Sequence, residues 1–165
     1  FSYNEVSEIK IWGSQVTVDH VGWPYTPQGL TSAQLNLPFC VATLLLEGDV
    51  SPKQFDESCV TDEKRIALSQ KVHCIHDPEI TSKGSHFRHM VHVEVIFNDG
   101  KTERQTREFQ RGSEHDFADD QTIIKKFMTL TSERISTNQQ NEIIDKIMNI
   151  EALPDIKKLT NLLVL

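Results

Sequence analysis

Apolar positions along the first two thirds of the chain switch between strand-like alternation and a helical period, and in the last third the period is helical. Val6, Ile9, Ile11, Trp12, Val16 and Val18 predict one or two short strands, interrupted at Gly13-Ser14. Residues 20–31 read as a loop, since Gly22, Pro24, Pro27 and Gly29 fall within them. Leu35 to Leu46 is the most apolar segment. Leu37, Val41, Leu44 and Leu45 keep helical spacing, with Gly48 placed as a C-terminal cap, so a buried helix entered from a Thr31/Ser32 cap is expected. Ser51-Pro52 predicts a second helix, with Ser as cap and Pro in the first turn. Thr61-Asp62-Glu63-Lys64 predicts a third, with Ile66 and Leu68 facing inward, and Lys71 to Ile75 a strand that stops at Asp77-Pro78.

The clearest local signal follows. Val91, Val93, Val95 and Phe97 point one way, His92, Glu94 and Ile96 the other, and Asn98-Asp99-Gly100 supplies a hairpin turn. The return, Lys101 to Phe109, is almost wholly polar and therefore suits an edge or a one-sided strand. From Asp119 the period turns helical. Ile123, Ile124, Phe127, Met128 and Leu130 form one apolar face, Ile143, Ile144, Ile147 and Met148 a second, and Asp155 to Leu163 a third. The expected fold is α+β: one domain over residues 1–165, with a small mixed or antiparallel sheet, packed helices and a helical tail over 118–165.

Composition narrows the functions. Lys+Arg 17 against Asp+Glu 24 gives a net charge of −7, which disfavours phosphate backbones and anionic membranes, so neither nucleic acid nor membrane is expected as a partner. With 38% hydrophobic and 25% charged residues the chain is no disordered tail, collagen repeat or membrane span. Cys40, Cys59 and Cys74 are odd in number and lack CxxC spacing, which suits reduced thiols. The first residues carry no basic, apolar leader, so a cytoplasmic location is expected. The absence of an initiating Met suggests a chain trimmed or excised from something longer.

Few motifs carry chemistry. His86-x-x-His89-x-x-His92 leads into a strand that would split its faces, and no Cys or carboxylate completes a ligand set at a known spacing, so no metal is expected. There is no glycine-rich phosphate loop and no GxSxG elbow. His73 and Cys74 are neighbours in a strand and face opposite ways, which suits a core thiol better than a Cys–His pair. Residues 20–39 look better suited to a ligand. A loop with His20, Trp23 and Tyr25 runs into Gln34 and Asn36 at the start of the apolar helix, where a positive dipole end and free N–H groups would suit a carboxylate. The competing reading is that Gln34 and Asn36 cap the helix and pin the loop.

Thr31-Ser32-Ala33-Gln34-Leu35-Asn36-Leu37-Pro38-Phe39-Cys40-Val41-Ala42, then Leu44-Leu45-Leu46-Glu47-Gly48-Asp49-Val50, resembles a stretch of the MmgE/PrpD family. That family includes 2-methylcitrate dehydratase and cis-aconitate decarboxylase. The resemblance runs on through Gln54-Phe55, Asp77-Pro78-Glu79, Arg88, Val93-Glu94-Val95 and Asp99-Gly100. Arg111-Gly112, Lys126-Phe127 and Ile143-Ile144-Asp145…Leu153 complete it. It covers the C-terminal, capping part of such enzymes and implies that the large helical domain, with most of the acid–base residues, is absent. It also implies that Phe39 stands where decarboxylase-like members carry a Tyr, and a phenyl ring moves no proton.

Together these imply a lyase or isomerase-type domain (dehydratase, decarboxylase or cyclase) for a carboxylated or carbonyl-bearing small molecule, working by proton transfer without a cofactor. His20 and Tyr25 would be acid or base, Gln34 and Asn36 would polarise a carbonyl, and Trp23 and Phe39 would line the site. The alternative is a non-catalytic capping or assembly domain. Either would self-associate or pair with a helical MmgE/PrpD-type chain.

Overall fold

The computed structural model describes residues 1–164, and the chain divides into two compact units, Phe1–Asp116 and Phe117–Leu165. In the first, β1 (Val6–Gly13) sits at the centre of a four-stranded mixed sheet ordered β2-β1-β3-β4. The chain leaves β1 through Ser14 into α1 (Gln15–Val21), then α2 (Leu30–Gln34) and α3 (Leu37–Glu47). α4 (Glu57–Val60) and α5 (Glu63–Ser69) lead to β2 (Val72–His76) and α6 (Pro78–Ser82), and the hairpin of β3 (Val91–Phe97) and β4 (Thr102–Arg107) follows. β2 runs parallel to β1 with Ile9 opposite Val72, and β3 runs antiparallel to it with Ile9 opposite Val95.

The alternation of β1 and β3 separates the two sheet faces, and α3 covers one of them. Val6, Ile9, Ile11 and Val72 are buried there, with Leu37, Val41 and Leu45 of α3 and Val91, Val93 and Val95 of β3 packed around them. Gly48 ends α3 in the left-handed region at φ 73°, which favours glycine. The polar return strand is the sheet edge: β4 pairs only with β3, and all six residues are exposed.

Three local expectations change. The second strand expected after Gly13 is helix α1. Val16 and Val18 alternate, but the Ser14 hydroxyl accepts the Thr17 N–H at 3.3 Å and starts a helix, while its own O–H donates to the Arg88 carbonyl at 2.6 Å. The apolar helix is entered from Asn36, not Thr31/Ser32. Those two lie in α2, which begins after Gly29 with no side-chain cap. The helix expected at Ser51-Pro52 is a single 3-10 turn, Pro52–Gln54.

The second unit contains α7 (Asp120–Thr131), α8 (Thr137–Met148) and α9 (Lys157–Thr160). Asp119 and Ser136 cap the first two through the N–H groups of Thr122 and Gln139. Gln140, buried at 3% exposure, donates to the Met128 carbonyl at 2.9 Å and to the Thr131 hydroxyl at 2.7 Å, which fixes α8 against α7. None of the described helices is long and apolar enough to cross a membrane.

Candidate functional site

The segment carrying the sequence-derived candidates is built around Asn36. Its side chain has no exposed surface, and both ends of the amide are used: Oδ1 accepts the Phe39 N–H at 2.9 Å and Nδ2 donates to the Trp23 carbonyl at 2.7 Å. One residue thus starts α3 and ties down the loop that precedes it. Of the first four N–H positions of α3, Leu37 to Cys40, three are closed to a carboxylate. Pro38 has no N–H, that of Phe39 is held by Asn36 Oδ1, and that of Cys40 bonds the Asn36 carbonyl at 3.0 Å.

Tyr25 and Phe39 belong to a second buried cluster with Ala33 and Val60. Their rings lie 4.3 Å apart between centroids, and the Tyr25 hydroxyl donates to the Val60 carbonyl at 2.9 Å. Burial raises the Tyr25 pKa, and the Arg65 charge pulls it the other way. The phenol is therefore held as a donor to a main-chain oxygen. His20 differs: it closes α1 and is exposed. Gln34 is exposed at the end of α2, and its carbonyl receives the Cys40 thiol at 3.7 Å. Trp23 is half-buried in the loop between α1 and α2. The structure thus joins Asn36, Tyr25 and Phe39 in packing and leaves His20, Trp23 and Gln34 with accessible surface.

Arg65, which sequence reasoning missed, lies beneath this cluster. It is buried at 4% exposure on α5, ion-paired with Glu47 at the end of α3, and bonded to the Gln54 carbonyl at 3.2 Å. Its guanidinium carbon lies 5.7 Å from the centroid of the Phe39 ring. No local spacing could reveal the pair, because its members lie on different helices. Cys40 and Cys74 are thiols held neutral by burial, Cys74 up to about 11, so neither is poised as a nucleophile.

The histidine triplet does not act as a group. His89 Nε2 lies 2.9 Å from Arg88 Nε, His92 Nδ1 lies 2.7 Å from the Thr106 hydroxyl, and His86 packs against His115.

The family model for the MmgE/PrpD C-terminal domain matches residues 1–151. The chain belongs to the MmgE/PrpD family. Among relatives, the cis-aconitate decarboxylase-like protein oryM of Aspergillus oryzae is 25% identical over 164 residues, which cover 97% of this chain and 33% of the relative. The chain thus spans about a third of the length of that relative. The matched MmgE/PrpD domain contains all of the sheet and all of the candidate residues, from His20 to Phe39.

Proposed function

We propose that this chain is the cap of an MmgE/PrpD-type lyase acting on a carboxylated small molecule by cofactor-free proton transfer. It offers His20, Trp23 and Gln34 to the substrate, and the remaining acid–base groups come from a helical partner. One observation carries this reading. Of the two titratable candidates, Tyr25 spends its hydroxyl on the Val60 carbonyl, which leaves His20 as the one exposed ring among them. Proton transfer that both removes and returns a proton asks for more than a lone exposed imidazole. Exposed apolar side chains support the pairing: Val16 on α1, Leu30 on α2 and Leu35 just after it lie along the same part of the sequence as the candidate residues. The name of the oryM relative supports the substrate class.

The test mixes the purified chain with the helical portion of the oryM relative and follows carbon dioxide release from cis-aconitate. Activity is expected only in the mixture. His20→Ala should lower it about tenfold or more while native mass spectrometry still finds the complex. Failure to associate, or an unchanged rate in His20→Ala, would contradict the proposal.

The second reading, a domain that turns over by itself, draws on the accessibility of His20. Steady turnover by the unaccompanied chain, lost in His20→Ala, would favour it.

A further inference from the structure

At the far end of the hairpin the chain places three possible metal donors together. His86 lies in the 3-10 turn Ser85–Phe87, and Glu114 and His115 lie in the turn that follows Phe109. One side-chain donor atom from each falls within 4.8 Å of the other two. We propose that His86, His115 and Glu114 form a binding site for a divalent transition-metal ion of the zinc type.

The donor set selects the class of ion. Two imidazoles and one carboxylate suit borderline ions such as Zn²⁺ or Co²⁺, whereas Ca²⁺ and Mg²⁺ prefer oxygen ligands alone. Zinc bonds of about 2.0–2.2 Å to N and O place tetrahedral donors roughly 3.3–3.5 Å apart. His115 Nε2 and Glu114 Oε1 already stand 3.2 Å apart, so the pair needs little rearrangement. All three side chains are exposed, and His86 contributes its donor atom within 4.8 Å of the other two.

The surroundings hold the imidazoles in place. The His86 and His115 rings lie 4.7 Å apart between centroids, and Phe109 packs on both, at 5.4 Å from His86 and 4.3 Å from His115. Phe87 closes the same apolar wall, 5.4 Å from Phe109 and 5.2 Å from His86. The backbone that presents Glu114 and His115 is a closed turn. The Gly112 N–H donates to the Asp116 carbonyl at 2.6 Å, and the Asp116 N–H returns to the Ser113 carbonyl at 3.2 Å. Gly112 takes φ 91°, a conformation other residues rarely adopt. The net charge of −7 adds a general attraction for a cation. Three protein ligands leave a coordination position open for water.

The test is calorimetric titration of the 165-residue chain with zinc chloride at pH 7.5, repeated with Co²⁺ read by its visible absorption. One equivalent should bind at micromolar concentration. His86→Ala and His115→Ala should each weaken binding about tenfold or more, and His89→Ala, outside the cluster, should leave it unchanged. A wild-type chain with no saturable site below about 1 mM zinc overturns the proposal, as does binding equal in all variants. If either alanine variant fails to fold, Co²⁺ added to the wild-type chain should broaden two histidine ring signals by NMR. These should be the signals that Gln substitutions assign to His86 and His115, and broadening of any other histidine instead overturns the proposal.

Discussion

At the entry to α3, Asn36 has no exposed surface and both ends of its amide are bonded, so this polar residue is consumed by the fold. At the turn after Phe109, His86, Glu114 and His115 are exposed, with donor atoms gathered within 4.8 Å of one another, a Glu114–His115 ion pair and a ring contact between the two histidines. Both places gather polar and aromatic residues in the pattern of a binding site. What separates them is the fate of each polar atom. A buried group must be paired within the protein, and once paired it is a structural strut. An exposed cluster with open lone pairs retains its chemistry. The candidate residues of this segment that keep accessible surface, His20, Trp23 and Gln34, are accordingly the ones proposed to meet the substrate.

Substitutions can break this contrast. Phe39→Ala should have the largest effect: the ring is fully buried between Tyr25 and Phe55, and its removal should cost about 3–5 kcal/mol in a denaturant titration. Tyr25→Phe should cost about 1–2 kcal/mol, because it leaves the Val60 carbonyl without its partner while keeping the ring packing. If Tyr25 is structural, Tyr25→Phe restores full activity in the reconstituted mixture once corrected for folded fraction. A specific loss of rate would move Tyr25 into the chemistry.

The smallest effect is a pH dependence. Asp56 caps α4, the helix that ends at Val60, by accepting the Cys59 N–H and the Ser58 hydroxyl, both at 2.7 Å. These bonds hold its carboxyl down at about 2 from an ordinary 3.8. A lowered folded-state pKa means that the stabilisation is present above the unfolded value and is lost as pH falls through about 2. An acid titration should therefore show amide signals of Ser58 and Cys59 moving together with a midpoint near pH 2, and Asp56→Asn should abolish that step.

Much of this fold is legible in local patterns. The β3–β4 hairpin follows from its alternation and the Asn98-Asp99-Gly100 turn, and α3 follows from its helical spacing and Gly48. The family resemblance is legible across the same region that the domain model matches. What escaped depends on competition or on distance. At Ser14–Val18 a capping hydroxyl overrode the alternation of two valines. The start of α3 was legible only in the competing reading, in which Asn36 caps the helix and pins the loop, and there one amide serves both a helix N–H and a loop carbonyl. The Arg65–Glu47 pair and the meeting of His86 with His115 join distant parts of the chain, and no spacing rule encodes them. Among the site candidates, sequence supplied the segment, but burial decided which side chains remain available.

The most direct test of this division is urea unfolding of Asn36→Ala beside His20→Ala. Loss of the cap and of the loop tie predicts a fall of about 2–3 kcal/mol for Asn36→Ala. His20→Ala should stay within about 0.5 kcal/mol of the parent chain, as expected for an exposed side chain outside the packing. The reverse outcome, a stable Asn36→Ala and a destabilised His20→Ala, would contradict the assignment of Asn36 to structure and His20 to function.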